Sequence, residues 1–170
     1  MMMKFLYSFL ILGVFLTAST AQAFEGRYQW NIHFPSNGWT LKGDQQDGAG
    51  YTKIYTPSDT PRAYPQNLSV LFNRGDHTPL KDAMQVVINQ HQQVKSCGEN
   101  SIHPLRSTSN MILYTTNLGQ CSNGKSLFQV IKALNMPDGQ YSIIYAVDPN
   151  VVSKSDIQTM KMAVMSATLQ

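Results

Sequence analysis

The chain has 170 residues, 42% of them hydrophobic, with 13 Lys and Arg against 10 Asp and Glu and a formal charge of +3. That length fits one domain with a real core. The charges alternate in sign without forming blocks, which gives no electrostatic case for nucleic acid or an anionic membrane.

The N-terminus reads MMMKFLYSFLILGVFLTASTAQAFEG. Lys4 precedes an apolar run from Phe5 to Leu16, and small residues follow to Ala21-Gln22-Ala23. This is the order of a secretory signal peptide over 1–23, cleaved after Ala23. The run is shorter than the roughly 20 residues that span a bilayer, and no Cys stands at the cleavage site. The expectation is a single mature domain over 24–170, periplasmic or secreted, without stable membrane insertion.

RYQWNIHF alternates, with Tyr28, Trp30, Ile32 and Phe34 on one face, and predicts a half-buried strand. Pro35 to Gly38 turns the chain, Trp39 to Lys42 gives a short strand, and GDQQDGAG predicts a loop. YTKIYT predicts a third strand. PSDTPRAYPQN, with Pro57, Pro61 and Pro65, reads as an irregular loop, and LSVLF as a central strand.

The tripeptide Arg74-Gly75-Asp76 follows. Thr78 suits an N-cap and Pro79 the first helical position. Leu80, Met84, Val87, Ile88, His91 and Val94 then recur at helical spacing. Gly75 therefore supplies backbone freedom in a strand-to-helix turn, with Arg74 and Asp76 facing solvent. Such a loop could present a receptor ligand. A three-residue match is weak evidence, however, and the turn is the better account of the residues.

Gly98 reads as the end of this helix. SIHPLRSTS predicts an edge strand because of Pro104, and NMILYTTNLG a good strand. KSLFQVIKALNM is ambiguous, but flanking Asn123-Gly124 and Asp138-Gly139 turns favour a strand. QYSIIYAVD is the clearest strand of the second half. SKSDIQTMKMAVMSATLQ predicts a helix, with Ser155 and Gln158 as a capping box and Ile157, Met160, Val164 and Ala167 as its apolar stripe.

Two cysteines, Cys97 and Cys121, belong to the mature chain, one at a helix end and one in a hairpin connection. In an exported domain an even count predicts a disulfide, which chain-entropy arguments value at about 3 kcal/mol. The four histidines, at 33, 77, 91 and 103, lack metal-ligand spacing.

The order of elements predicts an α+β fold, an antiparallel sheet of about six to eight strands flanked by two main helices. HFPSNGWTLKG, YTKIYTP and NLSVLFNRGDHTPLKDAM together resemble the opening of Mog1/PsbP-like domains, and GQYSIIYAVD with DIQTMKMAVMSATL resembles their last strand and helix. The resemblance implies a small exported binding or accessory module, usually without catalysis. It fixes no ligand and carries over no functional residue.

No catalytic, cofactor or metal residue is assigned. Ser122-Asn123-Gly124-Lys125 fits Ser-x-x-Lys but sits in a turn, where that chemistry needs a helix start. Asp76-His77 lacks a nucleophile, and Asp44 with Asp47 offers too few oxygens for calcium. The methionines of the last helix suit core filling better than copper. Tyr28, Trp30, Trp39, Tyr51 and Tyr55 could line a groove, although core packing accounts for aromatics first. The expected function is a non-catalytic binding or accessory protein, acting through a protein partner and needing no cofactor. A small hydrolase with a site assembled from distant residues is the alternative.

Overall fold

A computed structural model describes residues 26–34, 38–58, 66–93, 97–122 and 124–170. The signal-peptide expectation for 1–23, its cleavage point, and the turn residues 35–37 and 123 lie outside these. The elements run β1 (Trp30–Asn31), β2 (Trp39–Asp47), β3 (Gly50–Pro57), β4 (Gln66–Arg74), α1 (Leu80–Gln93), β5 (Cys97–Ser107), β6 (Met111–Cys121), β7 (Leu127–Met136), β8 (Gly139–Val147), α2 (Lys154–Ser166) and β9 (Thr168–Leu169).

The α+β expectation holds. A seven-stranded antiparallel sheet has the order β2-β3-β4-β8-β7-β6-β5, so two meanders meet where β4 pairs β8. The ambiguous KSLFQVIKALNM is strand β7. LSVLF, in β4, is one place off centre, and β8 takes the middle. Alternate residues on shared strands face opposite helices. Ile112, Tyr114, Ile131 and Ala133 meet Leu80, Met84 and Val87 of α1. Leu113, Val130, Ile143 and Tyr145 meet Met160 and Val164 of α2. The helices therefore cover opposite faces of the sheet. Burial pushes the Tyr114 hydroxyl up to about 12 on the α1 side.

Several local expectations are corrected. GDQQDGAG is not a loop: β2 runs through it to Asp47, whose Oδ1 accepts from the N–H of Ala49 at 2.7 Å and of Gly50 at 3.1 Å. One carboxylate thus closes a tight hairpin. Gly98 does not end a helix but lies in β5, and both cysteines are strand residues in direct cross-strand register. β5 is the edge strand that Pro104 predicts, with a bulge between Pro104 and Arg106.

The α2 cap is Ser153 rather than Ser155. Its Oγ accepts from the Asp156 N–H at 3.1 Å and donates to Asp156 Oδ2 at 2.7 Å. At α1 it is Pro79, not Thr78, whose carbonyl accepts the first helical bond, from Ala83 at 3.1 Å.

RYQWNIHF forms only a two-residue ladder, outside the main sheet. Trp30 pairs Leu169 and Asn31 pairs Thr168, so β1 and β9 make a ribbon from the two ends of the domain. Helix α2 stops at Ser166, where the Lys132 ammonium donates to the carbonyls of Met165 at 2.8 Å and Ala167 at 2.6 Å. A cation on β7 so satisfies the orphan carbonyls of a helix end. Burial, then the charge of Arg106, lowers the Lys132 pKa from its ordinary value. The clamp aims the chain from α2 into β9, which holds β1 over the sheet.

Candidate binding cleft

Because β1 pairs with β9 rather than with the sheet, its alternating residues press on the α2-side face. Trp30, Ile32 and Phe34 are half-buried and Gln29 and His33 exposed, while Asn31, paired with Thr168, is half-buried as well. Opposite them, Tyr51, Lys53 and Tyr55 stand at every second position of β3 and share a face. Between the two rows runs an open cleft of about 130 Å³, with Gln29 and Val70 completing its lining.

The aromatic walls rest on a base of tilted, packed rings. Tyr51 lies 5.7 Å from Phe72, and Phe72 lies 4.5 Å from Tyr141, between ring centroids. Phe34 bridges Trp39 at 5.9 Å and Tyr55 at 5.5 Å. Phe72 and Tyr141 are wholly buried, so the base is rigid by packing. Of the aromatics singled out in the sequence, Trp30, Tyr51 and Tyr55 line the cleft. Trp39 packs edge-on to Tyr145 at 6.3 Å, and Tyr28 edge-on to Tyr141 at 5.8 Å. Both of those are half-buried and pack against the core.

The start of the N-terminal segment is held by Asp138. Its Oδ2 accepts from the Tyr141 hydroxyl at 2.7 Å and from the Arg27 N–H at 3.0 Å. Burial alone would raise the Asp138 pKa, but these hydrogen bonds outweigh it and the pKa is lowered from 3.8. Burial, then the bond to Asp138, raises that of Tyr141. Gly139, at φ 150°, lets β8 pass the carbonyl of Asn73, where a Cβ would collide.

Two polar groups of the cleft bear on its chemistry. The Trp30 indole N–H is buried and has no hydrogen-bond partner among the described residues. The Lys53 ammonium lies 5.3 Å from the Tyr51 ring centre. Asp44 is the cross-strand neighbour of Lys53 in register, yet no ion pair forms between them.

Arg74-Gly75-Asp76 lies at the passage from β4 to α1, with Arg74 the last residue of the strand and Gly75 and Asp76 in the connection. Gly75 is left-handed at φ 67°, with open space around it. Arg74 is exposed, but Asp76 is half-buried and its Oδ1 accepts from the Thr78 N–H at 2.9 Å. That bond makes an exposed Asx turn at the start of the connection. Ser122 and Lys125 flank a turn with Gly124 at φ 74°. Cys97 and Cys121 form a disulfide. The described residues hold no cluster of three or more His, Cys, Asp or Glu able to bind a metal, and no helix among them is long and apolar enough to cross a membrane.

Sequence reasoning missed Ile32, Phe34 and Lys53 as cleft residues, as well as the Asp138 and Lys132 anchors. YTKIYT did carry a signal: a lysine between two tyrosines at period two, on one face. The chain matches no protein-family model and no curated protein.

Proposed function

We propose that this protein is an exported, non-catalytic binding protein that holds a protein partner through the aromatic cleft, and that its architecture is Mog1/PsbP-like. The observation that carries this reading is the half-buried stripe of Trp30, Ile32 and Phe34 facing Tyr51 and Tyr55 across an open cleft of about 130 Å³. Sites for small-molecule ligands commonly occupy about 300–1,000 Å³, whereas a cavity of about 150 Å³ takes one benzene. The cleft therefore suits a single anchoring side chain, and aromatic-walled pockets of that size are where partner anchors concentrate binding energy. The leader-like order of residues 1–23 and the Cys97–Cys121 disulfide support export to an oxidising compartment, periplasmic or extracellular.

Size-exclusion chromatography of the exported fraction tests this. The wild-type chain elutes with its partner, at a larger apparent mass than the purified chain alone. Gln29 is an exposed cleft residue, so Gln29→Trp changes stability by no more than about 0.5 kcal/mol. Its indole obstructs the cleft, and the variant elutes as the free chain. A wild-type chain that elutes alone, or a Gln29→Trp chain still in complex, rejects the reading.

A further inference from the structure

The main sheet protects both of its edges. β2 carries a bulge between Leu41 and Gly43 and the charged Lys42, Asp44 and Asp47, and β5 carries Pro104 and a second bulge. Such devices keep a foreign strand from pairing. The ribbon has none of them: Tyr28 to Phe34 holds no Lys, Arg, Asp, Glu or Pro. Its outer edge is also open. The Gln29 N–H donates to the Gln170 carbonyl at 2.9 Å, the Gln170 N–H to the Gln29 carbonyl at 3.0 Å, and Asn31 pairs Thr168. Alternate residues of an antiparallel ladder turn their N–H and C=O to opposite edges, so those of Trp30 point away from β9, and Ile32 continues that edge. Tyr28, of the same parity, gives its N–H to the Tyr141 hydroxyl at 3.3 Å. Among the described residues nothing pairs with the backbone of Trp30 or Ile32, because β9 is the one strand hydrogen-bonded to β1. The cleft is lined by residues of β3, β4 and the β1 segment but by none of β9, so it opens along this edge.

We infer that the partner adds an extended, uncharged segment as a strand along the free edge of β1, with one apolar side chain in the cleft. This rests on the cleft being the partner site. Open N–H and C=O groups recurring at every second residue are matched by another extended backbone. Strand addition of this kind draws affinity from the main chain and specificity from pockets for alternate side chains. The added strand lies over Tyr51, Lys53 and Tyr55. Lys53 has Asp44 in register beside it, so the charge beneath the strand is balanced, and an uncharged segment complements it. Folded surfaces that associate stably bury about 800 Å² on each side, whereas this cleft of about 130 Å³ holds one side chain. A linear segment fits it. A second copy of the chain does not: pairing β1 with β1 sets both Trp30 side chains on one face and drives the second sheet into the space where β3 already stands.

The test uses the mature chain and a capped pentapeptide, N-acetyl-Ser-Val-Thr-Leu-Ser-amide, whose valine and leucine share one face when extended. Two further versions carry N-methyl groups, one on the valine and leucine, the other on the threonine and last serine. Binding is followed by NMR on the backbone amides. At about ten times its Kd the unmodified peptide slows hydrogen exchange at Trp30 and Ile32 about tenfold. Gln29 and Asn31, already bonded to β9, stay unchanged. One methylated version binds about tenfold more weakly, having lost the donors that face β1, and the other binds as the unmodified peptide does. Equal binding of all three, or unchanged exchange at Trp30 and Ile32 with the peptide bound, overturns the inference and leaves the cleft reading standing. If no version moves a cleft resonance at about 10 mM, beyond the millimolar limit of weak binding, the inference falls. The cleft reading then stands or falls separately, on whether Gln29→Trp releases the partner in chromatography.

Discussion

Phe72→Ala lowers the free energy of unfolding by about 3–5 kcal/mol. Phe72 is wholly buried and packs between the tilted rings of Tyr141 and Tyr51, at 4.5 and 5.7 Å. Its removal takes away apolar area and also the contacts of two neighbouring rings, which cannot collapse into the space without leaving their own partners. Domains of this kind are stable by about 5–15 kcal/mol, so the loss consumes a large fraction of the whole. The effect reaches the cleft, because Tyr51 is one of its walls and loses its backing. Phe72→Leu conserves most of the volume and costs under about 1.5 kcal/mol. Urea unfolding of both variants checks the pair. A loss below about 1 kcal/mol for Phe72→Ala, well under the range for buried aromatics, would mean that this base is not the packed centre described above.

Replacing both cysteines by serine costs about 3 kcal/mol, mostly through the freedom regained by the unfolded chain. The bridge closes a separation of 24 residues and joins the first residue of edge strand β5 to the last of β6. For a domain of this size each kcal/mol shifts the melting temperature by about 2–4 °C, so the paired variant melts about 6–12 °C lower. Reductant produces the same shift in the wild-type chain and none in the variant. An unchanged melting temperature would show that β5 is held by its ladder alone. Loss of partner binding in a variant that remains folded would instead give the thiols a functional role.

The main sheet was legible in the sequence because most of its strands are bounded by turn residues and enriched in β-branched and aromatic side chains. KSLFQVIKALNM resolved to a strand through its flanking Gly-containing turns. Failures came where a competing local hydrogen bond or a long-range contact decides. GDQQDGAG is rich in turn formers, yet one carboxylate, Asp47, closes the hairpin and lets the rest pair with β3. Ser155 and Gln158 had the right spacing for a cap, but Ser153 and Asp156 offered the same chemistry two residues earlier. The pairing of Trp30 with Leu169 joins opposite ends of the domain, and no local pattern encodes it.

The cleft was legible only as a set of aromatics. Alternation put Trp30 beside Ile32 and Phe34, and Tyr51 beside Tyr55, each on one face of its own strand. Their facing one another depends on the β1–β9 ribbon, on the Lys132 clamp at the end of α2, and on Asp138 holding Arg27. Those anchors act through 35 residues in the case of Lys132 with Ala167 and 111 in that of Asp138 with Arg27. The Arg74-Gly75-Asp76 turn, by contrast, was read from adjacent residues, and the left-handed Gly75 follows from them.

Site-specific photocrosslinking in the native compartment tests the central claim most directly. One chain carries p-benzoylphenylalanine in place of Tyr55, within the cleft, and another carries it in place of Val86, which is 55% exposed on α1 and lies on the opposite face of the sheet. The account predicts a discrete crosslinked partner from position 55 and none from position 86. A partner captured from position 86 and not from position 55 would contradict it, and would move the binding surface to the α1 face.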